Sequence, residues 1–527
     1  MNRNILFFPL LFLLFWLPSC DDALEEDPYS TLAVSNVFVN EDGLKKATYG
    51  VYKNWAPSSW SPFYRFILSE SGHRYCGMGI FGEAIINPVY KFTQIPTTGQ
   101  FSNVWAGHFT TISRANSIIS NANKAVSDEN IANTYIAEAR FLRGYAYFDL
   151  VRNFGGVPLI NSEINSLEQS DLIYAARSSV EEVYNFIVED MIFAESHLPD
   201  KWTGEDLGRI SAGTAKAMLG KVYLTMAGKP LNKTENYQKA VDKLQEIYGA
   251  ANEAKYGFGL EDNFEDVFAL SNERNKELVL SFGYFRNSAS PNASIFPFYL
   301  FPRGLFNGDE QTFYGLDYEF YRLFEESDDR RDFMMVDRYE YAGESNHGAV
   351  PGDSIIYDIS RKRYIIQRTG ENFGDGTTTS GLAYTKMAHE GRAAGVGGWG
   401  YQTDLIEMRY TDVILCLAEA LIETGKSAEA LPLINRVRER ANATVYSSMP
   451  SDITAALRLE RRLELTGEFT TVYDIRRWGT LKEEIAAMTV DQFADKILPT
   501  YSEKLELYPI PQNQIDANPN LVQNPGY

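Results

Sequence analysis

The sequence predicts a mostly α-helical protein: a tetratricopeptide-like helical repeat scaffold interrupted by a loop-rich, aromatic central insertion. Three observations predict it. Apolar residues recur at helical spacing from Asn40 to about Gly249, and again from Thr403. Alanine and glycine are frequent on these stripes (Ala137, Ala139, Gly144, Ala146, Ala212, Ala217, Gly220), and small residues let helices pack closely in stacked pairs. From about Tyr256 to Tyr401 the pattern fails, and Gly, Asn, Ser and aromatics dominate. The repeat is degenerate and has no strict period.

Residues 1–19 read as a secretory leader. Arg3 and the amino terminus supply positive charge, and Ile5 to Leu17 is an apolar run too short for the ~20 residues of a membrane span. Leu17-Pro18-Ser19-Cys20 is similar to the lipobox of bacterial lipoproteins, in which the cysteine becomes the lipidated N-terminus. Cys20 is therefore the expected lipidation site, and residues 20–39 a tether. Asp21-Asp22 resembles the acidic signal that sends some lipoproteins to the outer face of the outer membrane. Each buried acyl CH₂ contributes roughly 0.8 kcal/mol, so several chains hold firmly.

The N-terminal helical part spans 40–255. Asn40 is placed to cap the first helix, with Glu41 and Asp42 in its first turn and Leu44, Ala47, Val51 and Trp55 inward. Trp105, His108, Ile112, Ala115, Ile119, Ala122 and Val126 form the next stripe. Tyr135, Ala139, Leu142, Ala146 and Leu150 form another. Ser178-Ser179-Val180-Glu181 reads as a capping box. Ser211 opens a further helix, and Tyr237, Val241, Leu244 and Tyr248 mark one more. The insertion, 256–402, contains a strand-like run at Leu278–Phe282 and one short helix from Asp317 to Phe324. So long an irregular stretch is usually functional. In the C-terminal part, 403–527, helices are expected from Thr403 (Leu405, Met408, Leu415, Ala418, Leu421), from Ser427 and from Ser451. A proline-rich extended tail follows.

Composition narrows the function classes. The net charge of −21 argues against nucleic acid, whose binding needs Lys and Arg to neutralise phosphate. After Cys20 only Cys76 and Cys416 remain, so disulfides do not hold this chain, and Cys416 reads as a buried thiol. Catalytic motifs fare poorly. Gly77-Met78-Gly79-Ile80-Phe81-Gly82 matches G-x-G-x-x-G but lacks the following helix and the acid about 20 residues on. The five histidines have no metal-ligand spacing. Glu325-Glu326 and Asp328-Asp329 read as a solvated face rather than a glycosidase pair. Glu460, Arg461, Arg462, Glu464, Arg476 and Arg477 read as a structural ion-pair network. No cofactor, no metal and no enzymatic activity are expected.

An ordered set of segments resembles the SusD/RagB family of outer-membrane glycan-binding lipoproteins. The set begins with Ala137–Leu150 followed by Phe154-Gly155-Gly156-Val157-Pro158-Leu159, then Gly208-Arg209-Ile210-Ser211 and Arg409-Tyr410. It continues with Ile434-Asn435-Arg436-Val437-Arg438, Glu460–Leu465, Asp474-Ile475-Arg476-Arg477-Trp478-Gly479, Leu507–Gln512 and Asn518–Tyr527. The resemblance covers essentially the whole chain after the lipobox. It implies a SusD-like, non-catalytic surface lipoprotein that binds oligosaccharides or polysaccharides. It also implies delivery to a TonB-dependent outer-membrane barrel (SusC-like), over which the protein closes. A surface lipoprotein whose helical array binds peptide or protein ligands is the alternative.

The resemblance places ligand rings in two loop regions without fixing positions. Rings in Gly- and Asn-rich loops have fewer core neighbours than rings on helix stripes. That argument selects Trp60, Arg74 and Tyr75 from the first region, and Tyr284, Phe285, Asn287, Tyr299 and Tyr314 from the second. Sugar C–H faces stack on aromatic faces while Asn and Arg hydrogen-bond hydroxyls. Trp55 and Trp105 fall on stripes and are assigned to the core. The tail, Pro509 to Tyr527, is expected either to contact the barrel or to pack on its own domain.

Overall fold

The structure is a computed structural model and describes residues 37–55, 61–78, 88–283, 299–302, 304–305, 314–342, 349–361, 363–368, 371–375, 382–386, 404–489 and 497–527. Cys20, Trp60, Tyr284, Phe285 and Asn287 lie outside the described residues. The fold is mostly α-helical, with short antiparallel sheets in its central third.

Helix α1 (Glu41–Trp55) starts on Asn40, whose Oδ1 accepts from the Gly43 N–H at 3.0 Å. Helix α2 (Ser61–Glu70) follows. Helices α3 (Gly99–Ala125) and α4 (Glu129–Phe154) are joined by so short a turn that they must lie side by side. Most of α4 is buried from Tyr135 onward, as a helix enclosed by neighbours must be. Helix α5 (Val180–His197) is opened by Ser179 with Glu182. The box is thus one residue later than Ser178 and Glu181, because the Ser178 N–H is engaged by the Val157 carbonyl. Helix α6 (Ala212–Ala227) is capped by Ser211, and α7 (Asn236–Gln245) follows. Each of α3 to α7 packs on the next. Gly144 and Gly220 show why small residues line these contacts: a Cβ would stand 3.1 Å from Met191 Cε at the first and 2.4 Å from Leu244 Cδ2 at the second.

The central residues are less irregular than expected. The expected short helix, α8, covers only Tyr318–Tyr321, with Asp317 as its cap, and another short helix runs over Arg330–Met334. Strands β1 (Cys76–Met78), β3 (Tyr314–Leu316), β4 (Met335–Val336) and β9 (Leu382–Tyr384) form one sheet in the order β1-β3-β9-β4. Gly77-Met78 therefore sits in an antiparallel pairing with β3, while Gly79 to Gly82 of the same motif lie outside the described residues. A second sheet contains β5 (Arg338–Glu340), β6 (Ser354–Asp358), β7 (Arg363–Arg368) and β8 (Glu371–Asp375). Strand β2 (Leu278–Phe282), read correctly as a strand, pairs with β10 (Leu405–Arg409). Leu405 and Met408 are thus on a strand, not a helix. All five β10 residues are buried, and a short fully buried run carries no period to read.

Helix α9 (Tyr410–Glu423) packs on α7 and so continues the helical array across the insertion. Helices α10 (Ser427–Arg440), α11 (Ile453–Leu465), α12 (Thr471–Trp478) and α13 (Leu481–Ala486) complete it. Two caps differ from expectation. Ser427 is already inside α10, behind Lys426, and Asp452 rather than Ser451 caps α11 by accepting from the Ala455 N–H.

Buried ion pairs tie the insertion to these helices. Arg409 reaches Glu468 at 2.6 Å and Glu464 at 2.9 Å, while Arg330 reaches Glu460 at 2.6 Å and Glu464 at 2.9 Å. Asp328 belongs to this network through Arg330 at 2.7 Å, so it is no part of a solvated face. Glu325 pairs with Arg438 at 2.6 Å. Cys416 is a buried free thiol, as expected, and so is Cys76.

The tail packs on its own domain. Tyr508 donates its N–H to the Asn153 carbonyl at 2.8 Å and its hydroxyl to the Leu68 carbonyl at 2.7 Å. The Asn524 amide donates to the carbonyls of Phe154 and Tyr508.

Candidate functional site

The chain leaves α2 through Gly72, whose φ of +88° suits only glycine without strain. His73 then turns inward and is 1% exposed. Its Nδ1 accepts from the Tyr75 N–H at 3.2 Å. Burial, aided by the nearby Arg462 charge, pushes the imidazole pKa down to about 3. With His73 directed inward, Arg74 and Tyr75 reach the half-buried surface.

Arg74 Nε donates to Glu484 at 3.0 Å, and Arg462 donates to the same carboxylate at 2.7 Å. Burial alone would raise the Glu484 pKa, but the two guanidiniums hold it down at about 2. The Arg462 guanidinium also lies 5.2 Å from the centre of the Tyr75 ring, a cation–π contact. Tyr75 meets Phe320 at 5.5 Å, and its carbonyl accepts from the Asp317 N–H at 2.8 Å.

That contact joins Tyr75 to α8. Phe320 points into the core, while Tyr318 and Tyr321 stay half-buried and stack at 5.4 Å with an 18° tilt. Tyr318 also stacks on Tyr357 at 6.4 Å. The Tyr321 hydroxyl donates to Asp332 at 2.8 Å, and the Arg331 guanidinium lies 5.0 Å from the Tyr321 ring. The surface therefore combines near-parallel rings with charged hydrogen-bonding groups at their edges. Such a surface can hold a flat apolar face and the hydroxyls around its rim.

Of the residues expected at the site, Arg74 and Tyr75 are brought together at this surface. Tyr299 and Tyr314 are not: they are 1% and 0% exposed. Tyr299 packs on Phe63 at 4.7 Å, and Tyr314 packs edge-on against Phe66 at 5.0 Å and Tyr384 at 5.9 Å. Both belong to the core: every residue of β3 is buried, and Tyr299 is enclosed against Phe63. Trp55 and Trp105 are core residues, as expected. Tyr318 and Tyr321 were missed. Their i, i+3 spacing, with Phe320 on the other face, was the available signal. Among the described residues no group of His, Cys, Asp and Glu could hold a metal ion. None of the described helices is long and apolar enough to cross a membrane.

Comparison with known proteins gives two family matches: the model described as "SusD family" over residues 225–527, and one described as "Starch-binding associating with outer membrane" over residues 22–224. The SusD-like protein P2 of Formosa agariphila is 29% identical, over 98% of this chain and 98% of its own. A solved laminarin-binding SusD-like protein is 26% identical, with a TM-score of 0.73 over 93% of this chain and 100% of its own. Surface glycan-binding protein A from Bacteroides thetaiotaomicron shares the fold, with 18% identity and a TM-score of 0.72 over 93% of this chain and 100% of its own.

Proposed function

From the premise that this chain belongs to the SusD family, we propose that it binds oligosaccharides or polysaccharides at the cell surface, without catalysis, and passes them to a TonB-dependent outer-membrane transporter. The observation that carries the binding reading is the surface of Tyr75, Tyr318 and Tyr321 with Arg74 and Arg331 at its edge. The similarity to a laminarin-binding SusD-like protein supports it. Trp60, Tyr284, Phe285 and Asn287 remain proposed contributors to the same site.

The test is calorimetry against a glycan panel, laminarin included, on protein starting at Asp21. Tyr75→Ala and Tyr318→Ala are each expected to weaken binding by roughly 0.5–1.5 kcal/mol beyond the lost contact area, with nearly unchanged melting. Tyr314→Ala is the contrasting core control, expected to lose about 3–5 kcal/mol of stability, the range for large aromatic truncations. Unaltered affinity in both surface variants would sink this placement. New reducing ends during incubation would sink the non-catalytic reading.

We also propose that Cys20 carries the lipid that holds the protein to the outer membrane, facing outward. Support comes from the position of Cys20 after the apolar leader and from the family description that names the outer membrane. Cys20→Ala is expected to release the protein from washed membranes of cells lacking the transporter, and retention there would overturn the anchor. A native-level pull-down that recovers no TonB-dependent barrel would count against the delivery step.

A further inference from the structure

A second cavity, of about 250 Å³, opens between α4, α5, the end of α6, α12 and the start of the tail. It shares no lining residue with the Tyr75 surface. Its walls are cationic in a chain whose net charge is −21: among the described residues Arg152, Lys229, Arg476 and Arg477 all line it, against one carboxylate, Glu506.

The four cations are not equally satisfied. Arg152 is held by Asp149 at 3.0 Å, and Arg477 by Asp474 at 2.8 Å and by Glu419. Arg476 is different. It is 8% exposed, yet no carboxylate among the described residues lies within ion-pair distance of it. Its Nη2 donates to the Leu505 carbonyl at 3.2 Å and its guanidinium lies 4.3 Å from the Tyr508 ring centre. Its Nε and Nη1 are buried with no acceptor among the described residues. Buried charges are ordinarily paired, because desolvating a lone ion is expensive. Lys229, at the exposed rim, likewise has no acidic partner among the described residues. The Glu506 carboxylate is engaged by the Tyr501 hydroxyl at 2.9 Å.

The remaining walls suit a ring. Tyr501 stands half-buried at the margin and Tyr184 lies deeper. The volume falls below the roughly 300–1,000 Å³ of sites for drug-sized ligands, so the occupant is about one ring in size. We propose that this cavity is a second ligand site, for a small carboxylate- or sulfate-bearing sugar. Arg476 and Lys229 supply the charge that its anionic group completes, and the tyrosines bound its ring. The proposal does not depend on the Tyr75 surface.

The test is titration calorimetry with glucuronate, glucose 6-sulfate, glucose and inorganic sulfate. At least one acidic sugar is expected to bind tenfold or more tightly than glucose, more tightly than inorganic sulfate, and less tightly as salt rises. Lys229→Ala, at an exposed position, is expected to weaken that binding at least threefold without altering melting. Arg476→Gln is expected to weaken it about tenfold or more, the scale of a hydrogen bond to a charged group. Tyr75→Ala should leave it unchanged. Equal binding of glucose and both acids overturns the proposal. So does binding of inorganic sulfate as tight as that of the acidic sugars, or acid binding that Lys229→Ala leaves intact.

Discussion

His73 is a buried neutral imidazole whose neighbours, Arg74 and Tyr75, form the candidate binding surface. Its pKa is depressed to about 3 in the folded protein, against an ordinary value near 6.5, because burial and Arg462 oppose a second positive charge. The unfolded chain therefore binds the proton more readily than the folded one. His73 contributes stability that is present above about pH 6.5 and is lost as pH falls toward 3, at up to about 1.4 kcal/mol per pH unit. Buried carboxylates also titrate in acid, so the useful measurement is a difference. Subtracting the stability curve of His73→Gln from that of the wild type is expected to leave a positive slope between pH 4 and 6. A flat difference would show that the imidazole does not resist protonation.

At the scale of elements, the insertion is held by charge rather than by helix packing alone. Glu464 on α11 receives hydrogen bonds from Arg330, Arg409 and Arg440, and both it and Arg409 have no exposed side-chain surface. Burial works against its ionisation, but the surrounding cations keep it charged far below the usual carboxylate range. Removing one partner from such a network leaves uncompensated buried charge. Glu464→Gln is expected to lower unfolding free energy by about 3–5 kcal/mol in denaturant titration, with the helical signal of the folded state retained. A loss below 1 kcal/mol would mean that the arginines find other partners. The Arg and Glu run of α11 was legible in the sequence as a structural network. Its partner Arg330 was not, since an ion pair across more than a hundred residues leaves no periodic trace. The helices were legible for the opposite reason: a 3.6-residue stripe is local and repeats many times. The strands of the insertion run for two to six residues, too short for alternation to separate Tyr314 in the core from Tyr318 at the surface.

For the whole molecule, the question is what holds the C-terminal tail to the N-terminal helices. The tail answers it through Asn524. Its Nδ2 donates to the Phe154 carbonyl at 3.0 Å and the Tyr508 carbonyl at 2.7 Å, and its Oδ1 accepts from Arg177 at 2.7 Å. Arg177 in turn holds the Gly156 and Phe154 carbonyls, at the exit of α4. One asparagine, 4% exposed, thus satisfies the end of α4 and the last turn of the chain together. The Asn-Pro-rich sequence reads as an extended tail, but the structure winds Gln512–Ala517 into a short helix, and the tail's destination was not legible because backbone carbonyls elsewhere in the chain are invisible to composition. Asn524→Ala would strand the Tyr508 carbonyl and one guanidinium N–H of Arg177, each worth about 1–3 kcal/mol when left unmade, while the Phe154 carbonyl keeps its bond from Arg177. Asn524→Asp keeps the acceptor for Arg177 but puts a carboxylate against two carbonyls. Both variants are expected to lower the melting temperature, with the aspartate variant at least as damaging at neutral pH. Hydrogen exchange should show faster opening at the C-terminal end of α4 in both. Unchanged melting in both would mean that the tail is a passive strap, leaving its outward face as the part to examine for contact with a transporter.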